Sequence, residues 1–131
     1  MERIHHLTFV VFDLEQAVAR FSGDLGAREC VREPLPERGV LTARFLVGGS
    51  WFVLVQPVGE GEPANRLRER GEGLLLVSFQ VRDLETALAK FESRGVTLLG
   101  HPRSGVAGWQ VQDLNSSAIP GTTLQLCVDP N

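Results

Sequence analysis

The feature that most constrains this chain is a stretch that occurs twice. Leu7 to Phe21 reads LTFVVFDLEQAVARF, and Val77 to Phe91 reads VSFQVRDLETALAKF, at an offset of 70 residues. Phe9/Phe79, Val11/Val81, Asp13/Asp83, Leu14/Leu84, Glu15/Glu85, Ala17/Ala87, Ala19/Ala89 and Phe21/Phe91 are identical between the copies. An internal match of this length sets the architecture ahead of any propensity argument. Two copies make a paired-module domain and not a solenoid.

Each copy has the same physical grammar. Leu7, Phe9 and Val11 alternate with His6, Thr8 and Val10, which is strand periodicity. Asp13 and Asp83 stand where a helix N-cap belongs, with Gln16 at capping-box spacing in the first copy. Leu14, Ala17, Val18 and Phe21 then recur at helical spacing, as do Leu84, Ala87, Leu88 and Phe91. The unit is a strand, a tight turn and an amphipathic helix lying back on the strand.

With 131 residues, 43% hydrophobic content and a net charge of −3, the chain has enough apolar material for one compact domain over residues 1–131. The mild acidity argues against a nucleic-acid partner. No apolar run approaches a membrane span and MERIHHL lacks a signal-peptide pattern, so no membrane partner and a cytoplasmic location are expected. Cys30 and Cys127 have no metal spacing and read as two reduced thiols.

Taken in order, Ile4 to Phe12 reads as a strand and Leu14 to Ser22 as a helix stopped by Gly23 and Gly26. Ala27 to Arg32 is a short strand and Pro34 to Gly39 a surface loop. Val40 to Val47 and Trp51 to Val55 form a hairpin around Gly48-Gly49, a two-residue turn both glycines tolerate. This is module one, residues 1–57. A linker, 58–73, carries a short helix started by Pro63 and ended by Gly71. Module two, 74–131, repeats the order: strand Leu74 to Arg82, helix Leu84 to Ser93, then strands Val96 to Leu99, Trp109 to Leu114 and Thr122 to Val128. RSGVAG, Arg103 to Gly108, is not a phosphate cradle, because strand-like residues follow it where a helix N-terminus is needed.

Two β-α-β-β-β modules in this length resemble the vicinal oxygen chelate superfamily, which includes glyoxalase I, methylmalonyl-CoA epimerase, extradiol dioxygenases and antibiotic-resistance proteins. The epimerase branch is carried by IHHLTFVV with DLEQA, FLVGGSWFVLVQP, RGEGLLLVSFQVRDLETAL, and the Gly121 segment G-x-x-L-Q-L. The resemblance implies an α+β fold in which the modules form a cupped eight-stranded mixed sheet with the site in the cup. It also implies a homodimer. Metal enzymes of the epimerase type place ligands on strands one, four, five and eight. Those positions match His6, Val53, Leu76 and Gln125. One imidazole and one neutral amide remain where a divalent ion wants three or four donors. No carboxylate is left at those positions to act as a base, so neither a metal nor another cofactor is expected.

Strand alternation then decides what lines the cup once His6 points inward. Thr8 and Val10 follow His6; Leu76, Ser78 and Gln80 come from the fifth strand, and Thr123, Gln125 and Cys127 from the last. Trp51, Val53 and Val55 come from the fourth. Across the Gly48-Gly49 turn Arg44 pairs with Val53, and paired residues share a face. Arg44 can hold a carboxylate or polarise a carbonyl where relatives use a metal, and His6 is the candidate proton carrier. These two are the candidate catalytic residues. Thr8, Trp51, Val53, Leu76, Ser78, Gln80, Thr123 and Gln125 are the candidate ligand-binding set. The alternatives stay open: Arg44 meets solvent if the turn is wider, His6 is an inert hydrogen-bonded relic, His5 faces the helix or the surface, and Trp51 and Trp109 are packing residues.

The expected function is a metal-independent protein for a small organic ligand or acyl thioester, with isomerase or lyase chemistry on an acyl or carbonyl compound as its enzymatic form. An epimerase- or glyoxalase-like metalloenzyme with unusual ligands and an antibiotic-sequestering resistance protein are the alternatives. Fold alone does not choose between them.

Overall fold

The computed structural model describes residues 1–28, 30–116 and 118–131. The chain divides into two compact units, His6–Leu75 and Met1–His5 with Leu76–Asn131. We refer to them as the N-terminal and C-terminal units.

Strand β1 (Arg3–Val10), helix α1 (Leu14–Leu25) and strands β2 (Cys30–Leu35), β3 (Val40–Val47) and β4 (Ser50–Pro57) build the first β-α-β-β-β module, followed by α2 (Glu62–Arg70). The strands hydrogen-bond in the order β2-β3-β4-β1, with β1 parallel to β4 and the other neighbours antiparallel. The second module consists of β5 (Gly73–Gln80), α3 (Leu84–Ser93), β6 (Thr97–Ser104), β7 (Gln110–Asn115) and β8 (Thr123–Val128). Its order is β5-β8-β7-β6, again with one parallel pair, β5 with β8. The architecture is α+β, and the repeated grammar is realised in both halves. Among the described residues, no helix is long and apolar enough to cross a membrane.

Local chemistry explains where the elements begin and end. Asp13 is extended at φ −135° and accepts from the Gln16 N–H at 3.0 Å; Asp83 repeats this at φ −139° with the Thr86 N–H at 3.3 Å. Helix α1 ends at Gly26, whose left-handed φ of 68° is costly for residues with a Cβ. Gly23, expected as a stop, lies inside α1 instead. The helix continues because its buried stripe, Leu14 and Val18 with Phe21, is anchored on the sheet below.

Other boundaries move for tertiary reasons. Strand β2 starts at Cys30 and includes Pro34 and Leu35, where a loop was expected, because Pro34 and Leu35 pair with Leu41 and Val40 at the edge of the sheet. Proline fits there because an edge strand can spare its N–H. Pro36–Arg38 form a 3₁₀ turn. Strand β6 runs on to Ser104, and Val106–Gly108 make a 3₁₀ turn before β7, so RSGVAG has no helix behind it.

Each sheet face has one destination. In the N-terminal unit Val11, Leu14, Val18, Ala43, Phe45 and Leu54 form the core beneath α1, with Phe21 stacked on Phe45 at 4.8 Å. In the C-terminal unit Val81, Leu114 and Leu126 do the same beneath α3, joined by Phe79, Leu88 and Phe91. The period-two pleat sends the intervening residues to the opposite face, away from the helix. That face carries His6, Thr8, Thr42 and Arg44 in one unit and Ser78, Asp113 and Gln125 in the other.

Candidate functional site

In the N-terminal unit the hairpin register places the predicted residues together. Val47 pairs with Ser50 across the Gly48-Gly49 turn, Leu46 with Trp51 and Arg44 with Val53. On the other side of β4, His6 pairs with Trp51 and Thr8 with Val53. His6, Thr8, Arg44 and Val53 are all buried, and Trp51 is half-buried. Arg44 therefore lies on the sheet face shared by His6 and Thr8, opposite Val53, and is only 8% exposed.

Arg44 is held by Glu33 and Trp51, among its neighbours. Its Nη1 donates to Glu33 Oε1 at 2.9 Å, and its guanidinium carbon lies 5.4 Å from the centroid of the Trp51 ring. One contact fixes an edge of the planar group and the other its face. Glu33 went unnoticed in the sequence because the strand was ended at Arg32. Extending it by one residue makes Glu33 a diagonal neighbour of Arg44, since Glu33 pairs with Thr42.

In the C-terminal unit Leu76 pairs with Thr123, Ser78 with Gln125 and Gln80 with Cys127, the face assignment expected from alternation. Leu76, Ser78, Gln125 and Cys127 are buried, while Gln80 and Thr123 are half-buried. Gln80 sits at an edge of this set, its Oε1 accepting from Arg3 Nε at 2.7 Å. The same face carries a charge that sequence reasoning missed. Asp113 pairs with Gln125, is 4% exposed, and accepts from Gln125 Nε2 at 2.9 Å. Arg103 reaches both of its oxygens, Nη1 to Oδ2 at 2.8 Å and Nη2 to Oδ1 at 3.5 Å.

His5 is neither at the surface nor simply against a helix. It is fully buried, with Nε2 2.7 Å from Asp129 Oδ2 and its ring edge-on to Trp109 at 4.6 Å. Trp109 is a packing residue at 2% exposure. Burial pushes the Asp129 carboxyl up, but hydrogen bonds from His5 and Asn131 together outweigh it and hold it below the usual carboxylate range. Burial, reinforced by Asp129, pushes the Cys127 thiol up to about 12, which leaves it protonated and unreactive.

The four positions that the resemblance assigns to metal ligands do not fit a divalent ion. Val53 and Leu76 are buried aliphatic side chains that offer no donor, and Gln125 offers only its amide oxygen. An imidazole and one amide oxygen fall short of the three or four protein donors such ions take.

The fold and the repeated modules define a class. The chain belongs to the glyoxalase/bleomycin resistance protein/dioxygenase superfamily, whose family model matches residues 5–112. It is 27% identical over 128 residues to the ethylmalonyl-CoA/methylmalonyl-CoA epimerase of Cereibacter sphaeroides, spanning 95% of this chain and 96% of that protein. It is 25% identical over 127 residues to human mitochondrial methylmalonyl-CoA epimerase, spanning 95% and 72% of the two chains. A variant of Streptomyces coelicolor methylmalonyl-CoA epimerase, in complex with 2-nitronate-propionyl-CoA, superposes with a TM-score of 0.92 at 24% identity over 100% of this chain and 99% of that one. That structural likeness carries the fold.

Proposed function

We propose that this protein is a metal-independent binder of a small acyl thioester, in which Arg44 holds a carboxylate or carbonyl oxygen of the ligand and His6 carries a proton to or from it. The observation behind this reading is the position of Arg44, buried directly opposite Val53 where relatives with a metal would place a donor. A guanidinium whose plane is set by Glu33 and Trp51 is pre-organised for two parallel hydrogen bonds to a carboxylate. The acyl-thioester class is supported by the relatives, which are epimerases of CoA thioesters. In this reading Thr8, Trp51 and Val53 shape the wall around the ligand, and the enzymatic form is an isomerase moving a proton through His6.

Calorimetric titration with methylmalonyl-CoA, with and without EDTA, tests it. Binding is expected to be indifferent to EDTA, with no stoichiometric metal in protein purified without chelator. Arg44→Ala should cost about 1.5–3 kcal/mol, one to two decades in affinity. Arg44→Lys should recover part of that, because a point charge lacks the bidentate fork. His6→Ala should weaken binding less but abolish exchange of the C2 proton in D2O. Unchanged affinity in Arg44→Ala would sink the proposal. The relatives favour one other reading, a metal-dependent epimerase with an unusual ligand set. Stoichiometric cobalt, manganese or zinc with EDTA-sensitive C2 exchange would put that reading in place of ours.

A further inference from the structure

The polar network of the C-terminal unit has a chemical direction. Asp113 on β7 is gripped through both oxygens by Arg103 on β6. With Arg103 on both oxygens, Gln125 on one and only 4% exposure, Asp113 is better described as an anchor than as a base. An ionised carboxylate only accepts hydrogen bonds, so Gln125 meets it through its NH2 group, with Nε2 to Oδ1 at 2.9 Å. The amide is thereby held in one of its two orientations, its oxygen turned away from Asp113. Gln125 is 2% exposed, yet Oε1 has no hydrogen-bond partner among the described residues. A buried acceptor left unmade is costly, and a site built around one discriminates strongly for ligands that satisfy it.

We infer that Gln125 Oε1 is the acceptor for a neutral donor on a small ligand, a hydroxyl or an amide N–H, and that Asp113 and Arg103 are positioning residues that keep it an acceptor. An anionic oxygen is excluded from this spot, because the amide oxygen presents only lone pairs to it.

The test compares two probes that differ by one hydroxyl, lactoyl-CoA and propionyl-CoA; their choice rests on the acyl-thioester reading above. Wild type should bind lactoyl-CoA about 3–10-fold more tightly, the reach of one buried neutral hydrogen bond. In Asp113→Asn the new amide donates as well as accepts, so Gln125 is free to rotate and the preference should fall to about onefold. Gln125→Leu should remove it too, and carries the test if Asp113→Asn fails to fold. A merely structural role would weaken both probes alike and leave their ratio intact, and that result overturns the inference, as does equal binding to wild type. The orientation is read without ligand from the Gln125 side-chain NH2 resonances, assigned by their loss in Gln125→Leu. They should exchange slowly with solvent in wild type and rapidly in Asp113→Asn. If neither thioester binds, the acyl-thioester reading fails. The inference then stands or falls on this exchange: rapid exchange in wild type overturns it.

Discussion

The two modules share a skeleton and invert a charge. Arg44 on β3 faces Val53 on β4, whereas the corresponding pair in the second module is Asp113 on β7 facing Gln125 on β8. Each inward charge is met by a counter-ion from the next strand out, Glu33 on β2 for Arg44 and Arg103 on β6 for Asp113. The helix-side residues match because each helix must bury the same apolar stripe on the same strands. The other face bears no such demand, so there the copies diverge, one toward a cation and one toward an anion. The pairs also differ in wetness. The carboxylate side chain is 5% exposed in Asp113 and 35% exposed in Glu33, so water screens only the latter appreciably.

The helix-side cores should give the largest response. Phe45 and Leu126 are both fully buried, one in each unit, and Phe45 also stacks on Phe21. Truncating Phe45 to Ala should cost about 3–5 kcal/mol and Leu126 to Ala about 2–5 kcal/mol in urea unfolding. A cost below about 1 kcal/mol for either would break the view that the shared face holds the fold together.

The inverted ion pairs come next. Asp113→Ala strands Arg103 and the Gln125 amide, at about 2–3 kcal/mol, toned down because Arg103 is 25% exposed. Glu33→Ala leaves the buried Arg44 guanidinium its Trp51 contact and should cost less, about 1–2 kcal/mol, because Glu33 itself is 35% exposed and water can take its place. Double-mutant cycles on each pair sharpen the contrast: equal coupling energies would mean that burial is not what separates them.

A smaller effect belongs to the helix cap of the second module. Hydrogen bonds from the Thr86 hydroxyl and N–H hold the Asp83 carboxyl below its ordinary value of 3.8. Because the folded value is the lower one, the stabilisation is fully present above the ordinary value and fades as pH falls through the folded one. Asp83→Ala should therefore lower the melting temperature slightly at pH 7 and by less at pH 2. A gap that widens on acidification would contradict the cap.

The smallest effect concerns the two thiols, one per module. Burial raises Cys30 as well, but it is only half-buried, whereas Cys127 is buried and pushed up to about 12. A disulfide reagent at pH 8 should modify Cys30 slowly and reach Cys127 only on unfolding. Comparable native rates would show that the last strand opens locally.

Much of the site was legible because strands and short turns carry register through covalent geometry. A two-residue turn at Gly48-Gly49 leaves one way to pair the strands around it, so Arg44 opposite Val53 followed from counting. Glu33 was lost because the strand runs three residues past Arg32, to Leu35. Asp113 was lost differently: the segment 116–122 before β8 is too long for its length to dictate which residue meets Gln125. Nor does local sequence announce that His5 finds Asp129, 124 residues away.

Sequence alone determined the two modules, the aspartate caps, the helix-facing stripes and the hairpin pairing that set Arg44 opposite Val53. All of these rest on interactions within a few residues of chain or across one tight turn. Tertiary structure decided the counter-ions and the fate of the buried polar groups: Glu33 on Arg44, Arg103 and Gln125 on Asp113, Asp129 on His5. Those partners come from neighbouring strands or distant segments, and their choice depends on register and burial that only the packed sheet supplies.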